Sequence, residues 1–356
     1  YIMNHISFPS IDQFNHAIKH VTQNAKYHEQ PVPTVRFEGT VKLHGTNFAV
    51  VNQPLTGETW YQSRERIITP EQDNAGSAAL ALRNKSVIDA IFANVKANEV
   101  VNENDTIQIF GEICGGNIQK GVGLVHVPKM FVIFGIRISE NAESQVWMPR
   151  DKVEKYVGSV IADAPEVFHI WQFPTYTMDI DFSEPRMSQN ELVAITDAVE
   201  KDCPVSRKLL GDAFASELIG EGVVWTAIDT MGSSLNLNGI RFKVKGPKHA
   251  SSKVKTTASV DVEKVKSIAE FVDKTVTENR LNQGITKLGE MGLDVDTKNT
   301  GEFIKWVCSD VIKEESDTLV ASGLEWKAVS GQVAGKARQF FMTYLTQQVA
   351  FKQSQI

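Results

Sequence analysis

Only three of the 356 residues are cysteine: Cys114, Cys203 and Cys308. An odd number, widely spread, makes no disulfide framework and points to a reducing cytoplasm. No Cys/His pair has zinc-ligand spacing, so no structural zinc is expected. The chain also lacks any apolar run of the roughly 18 residues that a transmembrane helix needs. Its first residues form no secretory apolar region, so no membrane association is expected. A Walker or kinase glycine-rich loop is absent as well, which excludes the common ATPase and kinase readings. Positive charge is short: 37 Lys/Arg stand against 43 Asp/Glu, a net charge of −6. Residues 246–356 hold 15 Lys/Arg and 14 Asp/Glu, so no basic tail is available for nucleic acid. Any contact with phosphates has to come from a focused cleft, helped by metal ions.

What is present is an ordinary globular composition, 42% hydrophobic and 22% charged, in a chain long enough for two cores. The most informative stretch runs from Arg36 to Asn52. Two β-branched apolar runs flank the polar turn Lys42-Leu43-His44-Gly45-Thr46-Asn47, which reads as strand, turn, strand, with Gly45 expected at positive φ. A lysine at the mouth of such a turn can be partly buried. Burial disfavours its ammonium form and leaves some free amine, a nucleophile toward a nucleotide α-phosphate.

Ile11, Phe14, Ile18 and Val21 recur at helical spacing after Ser10, a candidate N-cap, and predict a helix over 10–26. Strands are expected at 35–42, 47–52, 58–63, 106–113 and 130–138, with a closing pair at 223–228 and 240–245. Helices are expected over 85–98, over 189–201 after Ser188, and over 205–219. Gly246 to Ser259 is polar and short in side chain, which suits a linker. Beyond it Val262, Val265, Ile268, Phe271 and Val272, then Phe303, Ile304, Val307, Val311 and Ile312, then Phe340, Phe341, Tyr344 and Leu345 keep helical spacing. The expected division is a mixed α/β domain over 1–248, a linker over 249–260 and a helical C-terminal domain over 261–356.

The Lys42-Leu43-His44-Gly45 run resembles motif I of the covalent nucleotidyltransferases, the superfamily of ATP-dependent DNA ligases, RNA ligases and capping enzymes. With Thr46, Asn47 and Phe48 it is similar to the phage RNA ligase 2 and RNA-editing ligase branch, where His44 stands in place of the commoner Asp. Further segments match in order. They are Ser63-Arg64-Glu65-Arg66; Phe110-Gly111-Glu112, resembling motif III; Phe131 to Ile136, resembling motif IIIa; Glu221-Gly222-Val223-Val224, resembling motif IV; and Phe242-Lys243-Val244-Lys245, resembling motif V. Gly135 departs from the pattern, since relatives usually carry Asp there. The segment Thr277 to Gly292 resembles the helical C-terminal domain of RNA ligase 2.

The resemblance implies an α+β fold: an ATP-grasp-like nucleotidyltransferase domain of antiparallel sheets with flanking helices, plus a small all-helical C-terminal domain. It implies ATP and Mg²⁺ (or Mn²⁺) as cofactors and an AMP carried covalently on Lys42. The implied catalytic residues are Lys42, His44, Glu221, Lys243 and Lys245. Asn47, Arg64, Glu112 and Phe134 join them around the nucleotide, with Phe134 stacked on adenine. Glu221 and Glu112 are the implied metal ligands, and Arg64, Arg280, Asp310 and Glu314 are assigned to RNA. Alternation puts Lys243 and Lys245 on one strand face, where two cations would neutralise the triphosphate and lower the basicity of Lys42. Asp310 and Glu314, four apart, share a helix face. The implied reaction seals RNA 3′-hydroxyl and 5′-phosphate ends, as at a nick in duplex RNA, in a monomer acting in the cytoplasm, as a phage-encoded protein would in its host. DNA-nick sealing, and RNA-end binding with weakened catalysis, stand as alternatives.

Overall fold

The structure, a computed structural model, describes residues 3–73, 75–141, 143–237, 239–254 and 258–354. Part of the expected linker, 255–257, therefore lies outside the described residues.

In chain order the elements are β1 (Asp12–Gln13), α1 (Phe14–Tyr27), β2 (Thr34–Lys42), β3 (Thr46–Asn52), β4 (Thr59–Ser63) and β5 (Ile67–Ile68). Next come α2 (Ser77–Arg83), α3 (Lys85–Asn98), β6 (Thr106–Cys114), β7 (Met130–Ser139), β8 (Gln145–Trp147), α4 (Arg150–Gly158), β9 (Val167–His169) and β10 (Thr175–Asp181). The rest are α5 (Gln189–Lys201), α6 (Pro204–Leu210), β11 (Gly222–Asp229), β12 (Arg241–Lys245), α7 (Ile268–Thr275), α8 (Glu278–Glu290), α9 (Thr300–Ala321) and α10 (Trp326–Gln353). The α+β class expected from the sequence is what the structure has. No helix among the described residues is long and apolar enough to cross a membrane.

The chain divides into two units. The first comprises Tyr1–Ile11, Glu38–Thr177 and Ala198–Val224; the second comprises Asp12–Phe37, Met178–Asp197 and Trp225–Ile356. The first unit carries a seven-stranded sheet in the order β5-β4-β3-β6-β7-β8, with β9 also paired to β7. All its pairs are antiparallel except β7 with β9. Of the nine residues of β6, eight are buried, as a central strand covered on both faces requires. Phe48, Val50, Ile107, Ile109 and Phe131 from the strands pack with Leu80, Ile91, Val95 and Val153 from α2, α3 and α4.

A five-stranded sheet has the order β1-β12-β11-β2-β10; β2, β10 and β11 each run from one unit into the other. In the second unit Asp12 and Gln13 pair parallel with Phe242 and Lys243. That pairing corrects the expected helix over 10–26: α1 starts only at Phe14, and its N-cap is Gln13, with no side-chain bond, rather than Ser10. Strand hydrogen bonds to β12 outcompete the apolar helical periodicity there. Helices α7 to α10 close on a core of Phe271, Leu288, Phe303, Val307, Val333 and Phe341, with the Phe303 and Phe341 rings stacked at 4.6 Å. Ser267 and Thr277 cap α7 and α8 by accepting from the amides of Glu270 and Arg280.

The expected helix over 205–219 is also shorter. It is α6, which ends at Leu210 before Gly211 at φ +86°. Arg207 then donates to the carbonyl oxygens of Gly211, Asp212 and Phe214. These bonds satisfy a backbone that no longer satisfies itself.

Candidate active site

Lys42 is the last residue of β2 and Thr46 the first of β3, so the polar turn is held between two ordered strands. Its Nζ lies 2.8 Å from Oε1 of Glu221, whose other oxygen, Oε2, lies 3.2 Å from His44 Nδ1. The Glu221 side chain is 2% exposed, against 20% for Lys42 and 25% for His44. A carboxylate so buried is tolerable only when paired, and both of its oxygens are. This carboxylate opposes the effect expected from burial alone: at 2.8 Å it attracts the Lys42 charge that desolvation disfavours. A nucleophilic Lys42 requires Glu221 to be engaged elsewhere.

The turn is fixed from its other side. The Gly45 amide donates to Glu112 Oε1 at 3.2 Å, and Gln119 Nε2 donates to the Gly45 carbonyl at 3.1 Å. Asn47, 8% exposed, stands opposite Glu112 in the β3–β6 register. The sequence expectation for Gly45 itself is wrong in kind: it is not among the positive-φ glycines. A Cβ at Gly45 would sit 2.2 Å from the Ile113 carbonyl oxygen, so the glycine serves close approach to β6. Gln119 is a site residue that no local sequence pattern singles out; only the tertiary contact reveals it. Arg64, half-buried just past β4, makes no side-chain hydrogen bond or ion pair among the described residues.

Phe134 is an unpaired extra residue. Gly111 pairs with Ile133 and Phe110 with Gly135, which leaves Phe134 as a β-bulge between them. A bulge re-aims its side chain out of the strict alternation of the strand. The Phe134 ring meets Phe8 at 5.1 Å. Gly135, where relatives usually carry Asp, lies against Trp147: a Cβ there would sit 3.1 Å from that ring, a tight contact.

The second unit holds the other expected residues. Along β12 Phe242 and Val244 are buried while Lys243 and Lys245 are half-buried, on one face. Lys243 Nζ lies 3.2 Å from Glu314 Oε1, and Gln13 donates to Glu314 Oε2 at 3.2 Å. Arg280 has a fully buried side chain bonded to Asp310 at 2.8 Å, Glu315 at 3.1 Å, Glu314 at 3.4 Å and the Thr275 carbonyl. Burial pushes the Glu314 carboxyl up, but Lys243, Arg280 and Lys245 outweigh it and hold the group down at about 2. Glu315, dominated by burial, is raised. The shared helix face of Asp310 and Glu314 is as expected. In this arrangement, however, their carboxylates serve Arg280 and Lys243, and Arg280 has no surface to offer RNA.

Among the described residues no group of three or more His, Cys, Asp or Glu side chains could hold a metal ion. Mg²⁺ and Mn²⁺ bound with a nucleotide are held by one or two carboxylates together with phosphate oxygens. Glu221 is the buried carboxylate of the right chemistry.

The RNA ligase family model matches residues 35–245, more than half of the sequence, and the chain belongs to the RNA ligase family. Among solved structures it is similar to the RNA ligase of Naegleria gruberi. A lysine-to-methionine variant of that enzyme with AMP and Mn is 16% identical, with a TM-score of 0.43. A lysine-to-alanine variant with ATP and Mn is 17% identical, with a TM-score of 0.43, and the enzyme with PPi is 18% identical, with a TM-score of 0.42. Each match covers 67% of this chain and 55% of the other, so the likeness spans about half the length of the Naegleria protein. No curated protein matches the sequence.

Proposed function

We propose that the protein is an ATP-dependent RNA ligase that seals 3′-hydroxyl and 5′-phosphate RNA ends, with nicked duplex RNA as substrate, through a lysyl-AMP on Lys42. The observation that carries the reading is the convergence of Lys42 and His44, from one motif, on the buried carboxylate of Glu221, from another. In the first step the Lys42 amine attacks the α-phosphorus of ATP; an N–P bond forms, the bond to the β-phosphate oxygen breaks, and pyrophosphate leaves. An RNA 5′-phosphate oxygen then takes AMP from Lys42. Last, the 3′-hydroxyl attacks the activated 5′-phosphate, a phosphodiester forms and AMP departs. Positioning and charge neutralisation carry most of such phosphoryl chemistry.

Glu221, released from Lys42, would hold the divalent ion, with Glu112 as the second carboxylate. Bound there, the ion neutralises phosphate charge and orients the leaving group. His44 orients Glu221 and reaches the phosphates, and Asn47 and Glu112 face the ribose. Phe134 stacks on adenine, and Arg64 takes an RNA phosphate. Lys243 and Lys245 neutralise developing charge, a role that rests on their motif alone. RNA contact by Arg280, Asp310 or Glu314 requires their mutual network to open. The catalytic part is residues 1–248 and the helical part 261–356, joined by 249–260.

The test mixes the protein, cleared of bound AMP, with Mg²⁺ and α-labelled ATP and no nucleic acid, on a denaturing gel. Label retained by the wild type and lost in Lys42→Ala is expected. Protein that takes up no label would end the ligase reading.

A further inference from the structure

The segment ahead of β1 is strapped across the sheet of the first unit. His5 Nε2 meets the Ser63 carbonyl at 2.9 Å, and Gln62 donates to the Ile6 carbonyl at 2.6 Å. Arg137, fully buried in β7, donates to the carbonyl oxygens of Ile6 at 3.1 Å and Ser7 at 3.5 Å. The strap therefore has fixed backbone positions on two strands. Its next residue, Phe8, is 5% exposed. The Phe8 ring inserts between Phe134 at 5.1 Å, Phe110 at 5.3 Å and Trp147 at 5.4 Å, each edge to face.

A bulge residue has no strand partner of its own to fix it. Phe134 is half-buried, and the ring contact that holds it comes from Phe8. Trp147 completes the wall because Gly135 leaves room for it, and the Arg137 guanidinium lies over the Phe110 and Trp147 rings at 4.7 and 5.0 Å. Edge-to-face pairs at such distances are attractive and orientation-dependent. One network thus joins the strap backbone to the ring of Phe134.

We infer that Phe8 is a positioning residue for nucleotide binding: it fixes the Phe134 ring in the orientation that stacks on the base of ATP. This rests on the proposed stacking role of Phe134. The binding energy of a stacked base is realised only if the ring is already in place, because ordering it on binding costs free energy. Loss of Phe8 therefore weakens ATP binding and leaves the chemistry at Lys42 intact.

The experiment measures single-turnover self-adenylylation against ATP concentration for wild type, Phe8→Leu, Phe8→Tyr and Phe134→Leu, each checked by thermal melt. If the leucine variant does not fold, Phe8→Met takes its place. Phe8→Leu is expected to raise the half-saturating ATP concentration by roughly three- to tenfold with an unchanged limiting rate, while Phe8→Tyr, which keeps the ring, stays near wild type. A wild-type half-saturation in Phe8→Leu, beside a raised one in Phe134→Leu, overturns the inference alone. Wild-type half-saturation in both overturns the stacking role of Phe134 as well. A fall in limiting rate with unchanged half-saturation would make Phe8 a structural residue and also overturn the inference.

Discussion

A methyl group on Gly45 would press on the Ile113 carbonyl oxygen from 2.2 Å. Neither partner can retreat freely, because Thr46 and Ile113 are paired in the β3–β6 ladder. Gly45→Ala should therefore cost on the order of 1–3 kcal/mol of stability, as overpacking does, read by denaturant unfolding. It should also displace the amide that Glu112 holds and slow self-adenylylation. An alanine variant as stable as wild type would mean that the turn relaxes without penalty. The local pattern identified the glycine and misjudged its reason, since a positive φ is a property of one residue and a close approach belongs to two strands. Lys42 and Glu221 show the same limit. Their residue types were legible, but the 2.8 Å pair between them joins positions far apart in the chain.

Among the elements, α9 gives the sharpest electrostatic expectation. Glu314 is held at about 2 in the fold, below the ordinary glutamate range near 4.3. A depressed carboxyl contributes stability that is present above its unfolded value and lost as pH falls toward the folded one. The Glu314 contribution, on the order of 2–3 kcal/mol, should thus fade between about pH 5 and pH 2. Glu315 is raised and works in the opposite sense, offsetting part of the loss. Glu314→Gln isolates the Glu314 contribution: less stable than wild type at neutral pH, with the gap narrowed by about half at pH 3, by urea unfolding at both. A gap independent of pH would show that Glu314 does not anchor Lys243 and Arg280 by its charge. Element edges illustrate competition between levels. The helix over 10–26 lost its first turn to strand pairing with β12, and the helix over 205–219 stopped at Gly211.

At the level of the whole chain, a net charge of −6 means that attraction to RNA has to be local. Under the proposed function, binding of nicked duplex RNA should weaken with salt, the log–log slope being roughly −0.7 to −0.9 for each phosphate neutralised. Titrations at several salt concentrations measure it, and a slope indistinguishable from zero would contradict phosphate-directed binding. By itself the sequence determined most strands and helices, the order of the motifs and the identities of the chemical groups, because apolar periodicity and motif spacing are written locally along the chain; the α+β class followed from the resemblance that those motifs carry. Only the tertiary structure decided that Glu221 pairs with both Lys42 and His44, that Arg280 is spent on three carboxylates, and that Phe8 meets a bulged Phe134. Each of these depends on which distant residues share a buried space. There, desolvation makes pairing obligatory, and no local pattern records the partner.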